Sequence, residues 1–196
     1  MVCSLAQETV TDYEGREYPV VRIGGQAWMG ENLETETGPD GTMITSYCFY
    51  HDTSFCARYG RLYSWDVAMA GSKEEQARGI CPKGWHIPSD DDWEQLTNAL
   101  GGHNDAGKAM SVNGGAGFDV IYAGNYNPIT DVFSYINLNA YYWSSTSYSE
   151  KTAWMRQKGH NMSNINRSTV RKHYCFSIRC VKDAEPSNLE NGSDEH

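Results

Sequence analysis

The feature that most constrains this fold is the block from Tyr141 to Asp183, where two strand-like ends enclose a long polar middle. Trp143-Ser144-Ser145-Thr146 and Cys175-Phe176-Ser177-Ile178-Arg179-Cys180-Val181 carry the aromatic, β-branched and cysteine residues that suit buried strands. Between them, Gln157 to His173 is mostly Asn, Ser, Lys, Arg and His, with single apolar residues scattered through it. A polar segment that long, held between rigid strands, is where a small domain places its recognition surface. The chain therefore reads as a binder rather than an enzyme.

Bulk properties narrow the classes further. A chain of 196 residues can bury a substantial core without help. A formal net charge of −9 argues against nucleic acid as a partner, because that partner needs a basic face. No apolar run reaches the roughly eighteen residues of a membrane span. Met1-Val2-Cys3 is too short for a signal peptide, as expected of a chain that begins just after a removed one. Six cysteines without a C-x-x-C pair, in a Trp-, Tyr- and Gly-rich chain, indicate disulfides in an oxidising location rather than zinc ligands.

Local signals place the elements. Residues 9–33 read as a meander, with Gly24-Gly25 as a two-residue hairpin turn. Residues 42–50 read as a short strand, and Cys48 and Cys56 as a local loop staple. Leu62, Trp65 and Met69 are spaced for an amphipathic helix within Gly60–Ala70, continued by polar residues to Arg78 and ended by Gly79. The two prolines of Ile80 to Pro88 forbid a regular element, so this segment reads as a core-anchored loop in which His86 is buried and hydrogen-bonded. Ser89 can cap a helix whose first turn holds Asp90, Asp91 and Asp92 and whose apolar stripe is Trp93, Leu96 and Leu100. The acidic tail from Ala184 reads as disordered.

These framework residues together resemble the Fibrobacter succinogenes major paralogous domain, a family of bacterial cell-surface and secreted proteins common in Bacteroidetes. The resemblance rests on Trp28-Met29…Glu31-Asn32-Leu33, Tyr59-Gly60-Arg61-Leu62-Tyr63-Ser64-Trp65, Cys81-Pro82…Gly84-Trp85-His86-Ile87-Pro88-Ser89-Asp90, Tyr142-Trp143-Ser144-Ser145 and Phe176-Ser177-Ile178-Arg179-Cys180-Val181. It covers about residues 9–183, leaving 1–8 as an N-terminal extension and 184–196 as a tail. It implies an α+β, C-type-lectin-like fold related to formylglycine-generating enzymes, with short antiparallel sheets, two helices and long disulfide-stapled loops. It also implies a Cys81–Cys180 pair, which with Cys48–Cys56 leaves Cys3 for Cys175. Cys175 departs from the family, where Gly is usual before Phe176. Three readings of Cys3 stand open: a staple to Cys175, a lipid anchor on an acylated first residue, or a free thiol.

In related lectin-like domains, binding residues lie on the last strands and their connecting loop. That implies a non-catalytic, secreted or surface-anchored monomer presenting residues 148–173 to a protein or glycan. Tyr148, Trp154 and Met155 would supply contact area; Arg156, Gln157, Asn164, Asn166, Ser168 and Arg171 hydrogen bonds and charge; His160 and His173 further contacts. No cofactor is expected. The three consecutive aspartates raise a structural calcium ion as an alternative to an acid-dressed helix start. The competing classes are a structural or fimbrial assembly component and a cysteine-dependent enzyme of the formylglycine-generating kind. No catalytic cluster supports the last, and Cys175 and Cys180, read as lying on one strand, would face opposite ways.

Overall fold

A computed structural model of the chain describes residues 7–184. β1 (Thr9–Thr11), β2 (Glu17–Ile23) and β3 (Gln26–Met29) form the expected antiparallel meander. Its Gly24-Gly25 turn has φ of 58° and 84°, the left-handed pair that matches strand twist. Gly24 is required twice over, because a Cβ there would lie 2.4 Å from the Ala99 Cβ.

The region read as a strand over 42–50 makes only single bridges, Met43 to Thr37 and Tyr47 to Leu62, before a 3-10 turn at Phe49–His51. α1 (Thr53–Tyr59) follows, and Cys56 on it is bonded to Cys48. The helix expected over Gly60–Ala70 is shorter than its periodicity suggests. Leu62 is spent on the Tyr47 bridge, β4 (Tyr63–Ser64) enters a sheet, and only α2 (Trp65–Ala68) is helical. Ala70 and Gly71 then turn left-handed, so the polar residues that follow form turns. Leu62, Trp65 and Met69 are nonetheless all buried, on different elements.

β5 (Trp85–His86) leads to α3 (Asp90–Ala99). Its start is a full capping box: the Ser89 hydroxyl accepts from the Asp92 amide, and the Asp92 carboxylate accepts from the Ser89 amide. Trp93 and Leu96 are buried and Leu100 half-buried. α4 (Ala106–Met110), β6 (Asn125–Asn127) and β7 (Val132–Ser134) precede the long pair β8 (Asn139–Ser147) and β9 (Thr152–Gly159). β10 (Asn166–Arg171), β11 (Cys175–Phe176) and β12 (Val181–Lys182) complete the chain. The described residues thus hold four short α-helices where two were expected.

The strands form three mainly antiparallel sheets, ordered β1-β2-β3-β12-β5, β10-β9-β8 and β4-β11-β6-β7. Cys175 and Cys180, expected on one strand, are separated: Cys175 is in β11, and the chain then crosses so that Cys180 immediately precedes β12 in another sheet. Cys180 there meets Cys81, 99 residues back in sequence, with Cα atoms 5.9 Å apart. The fully buried Arg179 braces the crossing: it donates to Asn32 Oδ1 and to the carbonyls of Phe118 and Asp119. β8 runs between two cores. Tyr141 and Trp143 face Trp65, Trp85 and Phe176, while Ala140 and Tyr142 face Trp28, Trp93 and Phe118. Two of these buried indoles bond across the sheets: Trp143 donates to the Tyr63 carbonyl at 2.9 Å and Trp65 to the Ser144 carbonyl at 2.9 Å.

Candidate functional site

The polar segment is a hairpin, not a loop: β9 pairs in register with β10 from Thr152↔Arg171 to Gln157↔Asn166. Because side chains alternate, this pairing sorts them onto two faces. Ala153 and Met155 point into the core beside Trp143, sharing a face with Gln157, Asn166, Ser168 and Val170. The other face carries three cross-strand rows: Arg156 with Arg167, Trp154 with Thr169, and Thr152 with Arg171.

The innermost row is locked onto the capped helix. Arg156 is fully buried; its guanidinium bonds the Asp90 carboxylate and carbonyl and lies 3.3 Å from Glu94. Arg167, exposed, donates to the second Asp90 oxygen at 2.7 Å and stacks on the Trp154 ring, 3.3 Å from its centroid. Burial pushes the Asp90 pKa up, but bonds from Arg167 and Arg156 outweigh it and hold the carboxyl below the usual range. Tyr148, 63% exposed, meets Trp154 edge-on at 5.2 Å.

The outermost row opens into a cleft of about 460 Å³. Thr152, Thr169, Arg171, His173 and Tyr174 line it from the hairpin side, and Asn127 and Ile129 from the β6–β7 turn. Arg171 has no ion-pair partner among the described residues. His173 stacks on Tyr174 with centroids 4.9 Å apart. Burial, and then the neighbouring Arg171, pull the His173 pKa below its ordinary value.

The residues expected to form one binding face are therefore dispersed. Trp154, Arg171 and His173 come together near Tyr148. Gln157, Asn166 and Ser168 lie on the opposite face. His160 and Asn164 are at the far hairpin turn, where Ile165 bonds the His103 carbonyl and Ser163 accepts from Lys108 of α4. Two expectations are corrected outright. Met155 is 8% exposed within the core, and Arg156 is sealed in its ion pair, so neither is a surface contact. Sequence reasoning missed Arg167, Thr152, Thr169, Asn127, Ile129 and Tyr174. The first three become visible only once the β9–β10 register is known, and Asn127 and Ile129 come from a distant turn.

The aspartate triplet is not arranged for calcium. Asp90 is spent on Arg156 and Arg167, and Asp92 on Ser89, His86, Gln26 and Gln76. No acidic, His or Cys group among the described residues is placed to hold a metal ion. His86 is buried as expected, with Nε2 3.2 Å from Asp92 and Nδ1 2.7 Å from Asp183, beside a cavity of about 800 Å³. Burial lowers its pKa, but the two carboxylates outweigh it and leave it raised. Asp92 shows the converse balance: burial raises its pKa, yet bonds from His86, Ser89 and Gln76 bring it down to about 2.

Cys175 has no disulfide partner among the described residues; the expected staple to Cys3 falls on a residue outside them. Its side chain is enclosed by Phe49, Tyr59, Leu62, Ala123 and Tyr126, with its sulfur 3.7 Å from the His173 carbonyl. Burial pushes its pKa up to about 12, which suppresses the thiolate. Cys3 lies outside the described residues, as does the tail beyond Ala184.

Fold and face together define a disulfide-held α+β domain whose closing hairpin is docked on a capped helix. The chain belongs to the Fibrobacter succinogenes major domain family, whose sequence model matches residues 21–182. No curated protein and no solved structure matches it.

Proposed function

We propose that this domain is a non-catalytic binding module, secreted or anchored on a bacterial surface, that takes a protein or glycan ligand. In this reading its architecture is C-type-lectin-like and it acts as a monomer. The binding face is the outer part of the hairpin sheet: Tyr148 and Trp154 as the aromatic shelf, Arg171 and His173 in the cleft beside it. The observation that carries this is unspent bonding capacity. Arg171 is exposed and has no ion-pair partner among the described residues, and it borders a cleft next to aromatic surface held rigid from below. A rigid scaffold supports affinity because less conformational entropy is lost on binding. Two disulfides fit an oxidising location, and the suppressed Cys175 thiol speaks for a non-catalytic role.

The test is a glycan array and a pull-down from native surface extract, followed by the combined variant Tyr148→Ala, Arg171→Ala, His173→Ala. Binding to the hit should fall more than tenfold with the melting temperature unchanged. A matched change on the opposite face, Gln157→Ala with Ser168→Ala, should leave binding intact. Loss in the second variant and not the first would overturn the assignment.

An assembly component is the second reading, because β10 is a sheet edge. Arg167 and Arg171 on that edge are charges of the kind that discourage strand addition. Self-association at micromolar concentration, abolished by a proline at Thr169, would favour assembly instead.

A further inference from the structure

A second site follows from a buried charge without a counter-ion. Lys158, on β9, is fully buried. Its nitrogen donates to the Gly159 carbonyl at 2.6 Å and lies 3.5 Å from Tyr122 Oη, 5.7 Å from that ring's centroid. No carboxylate is within ion-pair distance among the described residues. Contrast Arg156, two residues earlier on the same face, which burial also claims but which has both Asp90 and Glu94. A buried cation with no acid beside it is costly, so a negative charge brought near it from outside the chain would be stabilising.

The place for that charge is next to it. Tyr122 walls a cavity of about 350 Å³ with Ser111, Val112, Val120, Asn137 and His160. Its polar groups are left with donors to spare. Tyr122 Oη faces Lys158 as acceptor, which leaves its own hydrogen uncommitted. Asn137 uses its oxygen to accept from Tyr59 at 2.8 Å, leaving its amide N–H groups. His160 donates its Nδ1–H to Asn161 Oδ1, so its ring contributes a wall rather than a donor. The Tyr122 and His160 rings, 5.2 Å apart, and the two valines supply apolar walls. Donors, an uncompensated cation and ring-sized apolar surface together select a carboxylate carried on a compact ring.

We propose that this cavity binds the carboxylate of a small acidic ligand, a uronic-acid sugar or a free organic acid. Lys158, which lies behind Tyr122 and does not line the cavity, supplies the counter-charge through the Tyr122 hydroxyl; Asn137 donates directly, and the His160 ring packs against the ligand. The site is at the opposite end of the hairpin from the outer cleft and does not depend on the function proposed for that cleft.

Isothermal titration of the full chain with glucuronate, glucose and acetate tests it. Glucuronate should bind saturably, and glucose at least tenfold more weakly. Tyr122→Phe, which keeps the ring that packs on the Trp28–Trp93 core, and His160→Ala at an exposed position should each weaken glucuronate by about five- to tenfold at unchanged melting temperature. Lys158→Met should erase the preference for glucuronate over glucose. If that variant fails to fold, the other two carry the test. Acetate binding as tightly as glucuronate would support the site and assign it to free acids; weaker acetate would assign it to the sugar. No saturable glucuronate binding, equal glucose binding, or unchanged affinity in both Tyr122→Phe and His160→Ala would overturn the proposal.

Discussion

Two ends of one sheet face differ sharply in how their polar groups are used. At the inner end, Arg156 and Arg167 share Asp90, Glu94 assists, and Asp92 next door accepts from a serine, a histidine and two glutamines. At the outer end, Arg171, His173, Thr152 and Thr169 surround an open cleft. Both ends are rich in the residue types that make a binding site. Of these two clusters, the outer one has capacity left for a ligand and the arginine–aspartate cluster does not. A charged cluster that satisfies itself holds a fold together, whereas one that does not is available for recognition.

Five variants can break or sharpen this contrast. The double variant Cys81→Ala, Cys180→Ala releases a loop of 99 residues that ties the closing strand to the centre of the chain. Chemical denaturation should show a loss of about 4–5 kcal/mol; an effect under about 1 kcal/mol would mean the crossing is held by Arg179 alone. Next, Arg156→Ala removes the buried partner of Asp90, leaving only the exposed Arg167 on that carboxylate, and should cost about 3–5 kcal/mol. Its cross-strand partner should behave differently: Arg167→Ala is expected to cost about 1 kcal/mol or less, because that residue is exposed. Equal costs would erase the distinction drawn between buried and exposed arginines.

The inner end also predicts a pH response. Asp92 is held at about 2, below an unfolded value of about 3.9. Its contribution is therefore present above pH ~4 and lost as pH falls through 2, about 2 kcal/mol in all. His86 is raised, so its contribution is full below its ordinary value near ~6.5 and declines as pH rises through the raised one. Stability should peak between these limits, and Asp92→Asn should flatten the acid limb. The smallest expected effect is at the outer end. Arg171→Ala should change stability by no more than about 0.5 kcal/mol, while removing binding at the cleft. A large stability loss there would show that Arg171 is structural after all.

Much of the frame was legible along the chain. Gly24-Gly25 requires left-handed backbone, Ser89 and Asp92 have the capping spacing, and Trp143 and Phe176 are too apolar to be anywhere but inside. The helix read over Gly60–Ala70 failed for a definite reason: Leu62 had a bridge partner at Tyr47 that no periodicity reveals. The site was half legible. The polar segment could be marked along the chain, but Met155 and Arg156 were assigned to a surface they do not reach, because facing depends on register.

The sequence by itself determined the local chemistry: where the chain turns, where the helix is capped, and that a long polar segment sits near the end. Only the tertiary structure decided which side of that hairpin faces out. Pairing on β8 jumps from Trp143↔Met155 to Ser147↔Ala153 across a bulge, anchored where Ser145 bonds the Pro88 carbonyl. With a side-chain period of two, a one-residue shift there would exchange the buried and open rows. Arg156 is structural and Arg171 available because Asp90, distant in sequence, arrives beside one and not the other.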